Sequence, residues 1–145
     1  MIRKLEKKDR EEYLKMAHEF YHSPAVLHPI PDSYMEKTFD ECVNDSVYAE
    51  GYVFLEEEQY VGYALVSKTY SQEAGGYVYW LEELYIREAF RSKGLGRQFF
   101  VMMEEEKKGA SRFRLEVEED NEKAIALYKR LGYKTLNYTQ MVKDF

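Results

Sequence analysis

The stretch LEELYIREAFRSKGLGR, residues 81–97, joins three kinds of sequence in one short run. Strand-like residues lead into a basic loop with two glycines, and an amphipathic segment follows. Strand, glycine loop and helix in that order form a device for holding an anion. The first turn of a helix leaves about four backbone N–H groups without intrahelical partners, and its field favours negative charge. Glycine lets the backbone approach the anion without a side chain between them. Across residues 87–97, Arg87, Arg91, Lys93 and Arg97 face a single acid, Glu88. A mononucleotide loop of the form GxxxxGK[ST] is absent, and a dinucleotide GxGxxG is broken by Phe99 at its third glycine position.

The rest of the chain narrows what such an anion can be. Its 145 residues suit one domain, 1–145, with one core, and 45% hydrophobic with 33% charged residues is a globular balance. The net charge of -6 argues against a nucleic-acid coat, which needs a broad basic face. A local basic loop on an acidic protein points instead to one discrete anion. No apolar run approaches the roughly 20 residues of a membrane span, and MIRKLEKKDR lacks the apolar segment of a signal peptide. Cys42 stands alone, so the expectation is a reducing, cytoplasmic setting. His18, His22 and His28 cluster without the spacing of a metal site, and no metal is expected.

Periodicity predicts the elements around the loop. Residues 1–6 read as a short strand, and from about Lys8 a helix with Asp9 as cap places Tyr13, Leu14, Ala17, Phe20 and Tyr21 on one side. SPAVLHPIPDS holds all three prolines and must be a loop; a second helix over 32–43 follows, burying Met35, Phe39, Cys42 and Val43. Strands are predicted near 51–56, 60–69 and 77–86, then a helix over 95–108 with Leu95, Phe99, Met102 and Met103 inward. SRFRLEVEE reads as a strand, NEKAIALYKRL as a helix stopped by Gly132, and YKTLNYTQMVKDF as one or two further strands. The expected class is α/β, a mixed central sheet flanked by helices.

With those residues in hand, the chain resembles the GNAT N-acetyltransferase family. That family's pyrophosphate loop, [QR]-x-x-G-x-[GA], is matched by Arg91, Gly94 and Gly96, and DNEKAIALYKRLGY, 120–133, resembles its second acetyl-CoA segment. Two departures stand out: Glu88 where members often have proline, and Ser92 where they often have glycine. The resemblance implies the acyl-CoA N-acyltransferase fold, with acetyl-CoA as cosubstrate in a cleft between two splayed parallel strands. It implies that the backbone of Leu84, Tyr85 and Ile86 meets the pantetheine arm. The diphosphate would rest on Ser92, Lys93, Gly94, Leu95, Gly96 and Arg97 beside Arg91, and Asn121 would line the thiol end or hold the arm.

Amide formation from a thioester needs a neutral amine, a polarised carbonyl and a proton for the departing thiolate. Tyr128 lies where the family commonly has a tyrosine near the sulfur, and a phenol of pKa about 10 suits that proton. It also belongs to the stripe Ala124, Leu127, Tyr128, Leu131, which a plain core helix would have. Glu82 and Glu83 are the candidates for the amine. If the strand is regular, Glu82 shares a face with Val78, Trp80, Leu84 and Ile86, and Glu83 with Tyr77, Tyr79, Leu81 and Tyr85; a bulge would break that count. Carry-over from the family favours Glu82, with Glu83 second, and makes the Ile86 N–H the carbonyl polariser. Transfer is expected to be direct, through a ternary complex, with no role for Cys42.

The acceptor walls would come from the early helices, the Pro24–Pro31 loop and the C-terminal strands, where Tyr21, His22, His28, Tyr34 and Tyr138 stand, with Asp32 and Glu36 nearby. Aromatics with carboxylates suit a cation. LEELYI is similar to the corresponding part of diamine and polyamine acetyltransferases, which implies a small amine, with a peptide or protein amine left open. No nucleic acid or membrane partner is expected, and family habit allows a homodimer. The competing function is a non-catalytic acyl-CoA-binding or sensing module on the same fold.

Overall fold

The computed structural model describes residues 1–145. β1 (Ile2–Lys4), β2 (Ala49–Glu56), β3 (Gln59–Ser71) and β4 (Gly76–Ile86) form an antiparallel meander, and β5 (Arg112–Leu115) joins β4 in parallel at the sheet's end. α1 (Arg10–Tyr21) and α2 (Asp32–Val43) cover one face; α3 (Leu95–Glu106) covers the other, and α4 (Glu122–Arg130) follows β5. Because helices lie on both faces, GYVFL in β2 and YVGYALV in β3 are apolar almost continuously rather than in alternation. No helix is long and apolar enough to cross a membrane.

Two cores result, one on each side of the sheet. Tyr13, Met16, Ala17, Met35 and Phe39 pack on Val53, Tyr63 and Leu65, with Tyr13 edge-on to Tyr63 at 5.3 Å between ring centres. On the opposite side Leu95, Phe99 and Met103 pack on Tyr52, Phe54, Ala64 and Val66. The buried side of α3 includes Phe100, which the expected stripe omitted in favour of the half-buried Met102. α4 stops at Arg130, and Gly132 follows at φ +93°, a conformation that costs a side-chain-bearing residue about 1–2 kcal/mol.

Three local expectations are corrected. Asp9 does not cap α1 with its side chain. It is fully buried, accepts a two-pronged ion pair from Arg3 at 2.7 and 2.9 Å, and also binds the Tyr60 hydroxyl and the Glu6 N–H. The strand in SRFRLEVEE is only Arg112–Leu115, and residues 116–120, four of them acidic, lie exposed beyond it. The tail after Tyr133 forms no strand at all: it has the alternation for one but no paired neighbour in the sheet.

Candidate active site

The central irregularity of the sheet lies in β4. Leu65 of β3 faces Glu83 and Val66 faces Leu81, so Glu82 is an extra residue with no partner opposite. This bulge breaks the regular parity count. Tyr79 and Leu81 before it, and Leu84 and Ile86 after it, all pack toward the α3 core, whereas Tyr85 packs toward α1 and α2. Both carboxylates emerge on the α1–α2 side. Glu83 reaches Tyr21 and Tyr63 there, and Glu82 accepts from Ser67 Oγ at 2.6 Å. A bulge re-aims side chains in this way and is frequent beside active sites.

Enclosure falls to Glu83 rather than to Glu82, the residue favoured by carry-over. Glu82 is exposed. Glu83 is half-buried, with Tyr21 Oη donating to one carboxylate oxygen and Tyr63 Oη to the other at 2.7 Å. Burial raises its pKa above the ordinary carboxylate value; the two phenols oppose that rise and neighbouring Glu82 adds to it. Burial and Glu83 together also hold the Tyr63 and Tyr21 hydroxyls protonated, so both act as donors. Tyr63 is a site residue that sequence reasoning missed. Its signal was a tyrosine inside a strand buried on both faces, since a buried hydroxyl needs a partner.

β4 and β5 pair only from Val78↔Arg112 to Leu81↔Leu115, while β4 continues to Ile86. The two strands therefore part at the bulge. Arg87 N–H donates to Val61 of β3 at 2.8 Å, so by the alternation of an antiparallel ladder Tyr85 spends its backbone groups on Tyr63. Leu84 and Ile86 turn theirs toward the gap. Tyr85 thus drops from the expected trio of exposed backbone, although its side chain stays on the acceptor side.

The basic loop closes the end of that gap. Gly94, at φ +84°, is the residue that starts α3, and Gly96 lies in its first turn. A Cβ on Gly96 would stand 3.7 Å from Leu84 of β4 and 3.9 Å from Leu127 of α4, so strand, loop and α4 converge at this glycine. Leu95 is buried as the loop's anchor, and Ser92, Lys93 and Arg97 are exposed. Arg91 folds back, its Nε donating to Ile86 O at 2.7 Å, and Lys93 lies 5.1 Å over the Phe90 ring. Arg87 does not join this basic group. Glu19 of α1 takes its guanidinium at 2.8 and 3.0 Å and also accepts from Tyr85 Oη, a clasp between α1 and the end of β4. Glu19 was not foreseen.

On α4, Asn121 caps its own helix, Oδ1 accepting from Ala124 N–H at 3.3 Å, which leaves its amide NH₂ as the group free to face outward. Tyr128 is half-buried, 5.6 Å from Phe100 and 6.0 Å from Tyr133 between ring centres, and burial raises its pKa. A wide concavity of about 920 Å³ lies elsewhere, beside the β2–β3 turn. Glu56, Glu57 and Glu58 line it together with Arg3, Lys8 and Phe90, and none of residues 91–97 does.

Comparison with known proteins agrees with this architecture. A possible acetyltransferase from Clostridium difficile 630 superimposes with a TM-score of 0.82 at 17% identity, covering 100% of this chain and 97% of the other. AAC(6')-Iy, in complex with the bisubstrate analogue CoA-S-monomethyl-acetylneamine, gives 0.82 at 15% identity, covering 100% and 97%. A ribosomal-protein-alanine N-acetyltransferase from Brucella melitensis biovar Abortus 2308 gives 0.79 at 17%, covering 100% and 98%. At such identities the likeness speaks for the fold alone, and no curated protein matches the sequence. The model of the acetyltransferase (GNAT) family, whose members use acetyl-CoA, matches residues 10–133, both glycine loop and α4 included, and the chain belongs to that family.

Proposed function

We propose that the protein is an N-acetyltransferase that moves the acetyl group of acetyl-CoA directly to the primary amine of a small cationic molecule. The observation that carries this reading is that one strand serves both ends of the reaction. Glu83, enclosed by two tyrosines, lies one residue before Leu84, and the backbone groups of Leu84 and the N–H of Ile86 face the gap that the basic loop closes, the Ile86 carbonyl being taken by Arg91. The residues fit the cosubstrate. The first turn of α3 at Gly94–Gly96 offers N–H groups, and Lys93 and Arg97 offer charge for a diphosphate. Leu84 and the Ile86 N–H offer the backbone pairing an amide-bearing arm needs, with Arg91, Ser92 and Asn121 around it.

Acetyl-CoA supplies a thioester carbonyl when bound. Glu83 takes a proton from the acceptor ammonium, directly or through water, and leaves the nitrogen free to form the new C–N bond. The Ile86 N–H polarises the carbonyl oxygen. Tyr128 gives its phenolic proton to sulfur as the C–S bond breaks, and the proton lost by nitrogen restores the phenol. Its raised pKa keeps that proton in place until the thiolate departs. Exposed Glu82, on the same face as Glu83, favours an acceptor with a second positive charge, as diamines and aminoglycosides have. That the related AAC(6')-Iy binds an acetylneamine analogue is consistent with this class.

Free-thiol release from acetyl-CoA, measured across diamines, polyamines, amino acids, aminoglycosides and short peptides, tests the reading. Saturable release with dications, and much weaker release with monoamines of equal length, is the expected result. Silence from a protein that binds acetyl-CoA would overturn it.

A further inference from the structure

We infer that Trp80, with Arg114 over it, is the end wall of the acceptor site and sets the length of the amine that fits. The inference rests on the transferase reading, in which Glu83 holds the reacting amine. Trp80 is the chain's one tryptophan, and it belongs to neither core. Tyr79 and Leu81 on either side of it pack toward α3, so strand alternation turns Trp80 to the face that carries Glu82 and Glu83. It is half-buried there. Its partner on β3 is Ser67, and its partner on β5 is Arg114. Ser67 Oγ donates to Glu82 at 2.6 Å, and the Arg114 guanidinium lies 4.0 Å over the indole. A row across β3, β4 and β5 therefore runs carboxylate, indole, guanidinium.

This row acts as a ruler. Glu83 stands opposite Leu65 and Trp80 opposite Ser67, two residues further along β3, which is ~7 Å in a strand. An acceptor whose amine is held by Glu83 therefore brings its other end to Glu82 and the indole. A carboxylate beside an aromatic ring suits a second ammonium, through charge and ring together. The last position in the row has the opposite sign. Glu73, the acid on that side, is taken by Arg112 at 3.2 Å and by Tyr138 at 2.7 Å, and Arg114 itself makes no ion pair. A cation reaching past the indole meets that unpaired guanidinium. The site thus takes a compact dication with its nitrogens ~7 Å apart, the span of about four or five methylenes, and turns away longer polyamines. Attraction at Glu82 and repulsion at Arg114 together supply the discrimination.

Trp80 is its own reporter, because the fluorescence of a lone tryptophan reads this site whether or not transfer occurs. The full chain, with and without CoA, is titrated with linear diamines of increasing length, then with spermidine and spermine. Affinity is expected to peak at a nitrogen spacing of ~7 Å. The longer polyamines should bind roughly three- to tenfold more weakly than the best diamine, a gap that narrows as salt is raised. Arg114→Gln is expected to abolish the gap and Arg114→Lys to keep it, while the salt series on the parent needs no variant to fold. Thiol release from acetyl-CoA with the same amines should rank kcat/KM in the same order. A flat length profile overturns the proposal, as does a gap that survives Arg114→Gln. Tighter binding of an ω-amino carboxylate than of the diamine of equal length would make Arg114 an anion receptor, and also overturns it. Turnover with a flat profile defeats the ruler and leaves the transferase reading standing; a length profile in fluorescence without thiol release does the reverse.

Discussion

Glu82 and Glu83 are neighbours in sequence with opposite surroundings, and the difference is measurable. Glu83→Gln is expected to lower kcat/KM by about 10²–10³-fold, and Glu82→Gln by less than about tenfold unless the acceptor carries two charges. Burial lifts Glu83 above the ordinary carboxylate range, so kcat/KM falls as pH drops through that raised value and the ionised base is lost. The pH–rate profile of Glu83→Gln should lack this acid limb, whereas that of Glu82→Gln keeps it. Ser92 is the second residue with a distinct signature. It stands at φ +61°, in the left-handed region, where a branched side chain is worse than serine. Ser92→Val is expected to cost about 1–2 kcal/mol and lower the melting temperature by about 3 °C or more, while Ser92→Gly does not lower it. Weaker acetyl-CoA binding by Ser92→Val should accompany the loss, since the loop then departs from its observed path.

The β2–β3 hairpin turns through Glu57 and Glu58 at φ +47° and +67°, two acidic side chains where a tight turn of this hand favours Asn-Gly. Replacing them together, Glu57→Asn with Glu58→Gly, should stabilise the fold by about 1 kcal/mol, read as a higher melting temperature with unchanged activity. Elements of this size were legible where local chemistry defines both ends. Pro31 ahead of an apolar 3.6-residue period fixes α2 at Asp32–Val43, and the glycines at 94 and 96 mark the loop and the start of α3. The bulge in β4 was not legible in the same way. LEEL carries no glycine or proline, and the extra residue exists only in relation to Leu65 and Val66 on another strand. Which of the two carboxylates is enclosed is therefore open in the sequence, where the preference for Glu82 rests on the family pattern, and is decided only when the strands pair. The tail failed for a related reason: alternation describes what a strand needs on its two faces and says nothing about whether an edge stands beside it.

At the scale of the whole molecule, the N-terminal strand, the start of α1 and β3 are tied at one buried charge. Burial opposes ionisation of Asp9, but Arg3, Tyr60 and the Glu6 N–H outweigh it and hold the carboxyl at about 2. A lowered folded-state pKa stabilises the fold above the unfolded value near 3.9 and stops doing so as pH falls through about 2. After allowance for solvent on the Arg3 side, the contribution is about 1–2 kcal/mol. Asp9→Asn should lose that much at neutral pH, and its denaturant midpoint should fall less between pH 4 and pH 2 than the parent's. The two cores have a wider consequence. Residues proposed to grip the donor pack on the α3 side of the sheet, and those around Glu83 on the α1–α2 side, with only the strands in common. Inheritance can therefore act on the two faces at different speeds. Selection for a new amine can rewrite α1, α2 and the proline loop, including Tyr21 and Glu19, and leave the acetyl-CoA grip untouched. In a mutant library, changes of acceptor preference should map to one side of the sheet and failures of donor binding to the other, as if the lineage kept one half of its tool and refitted the other.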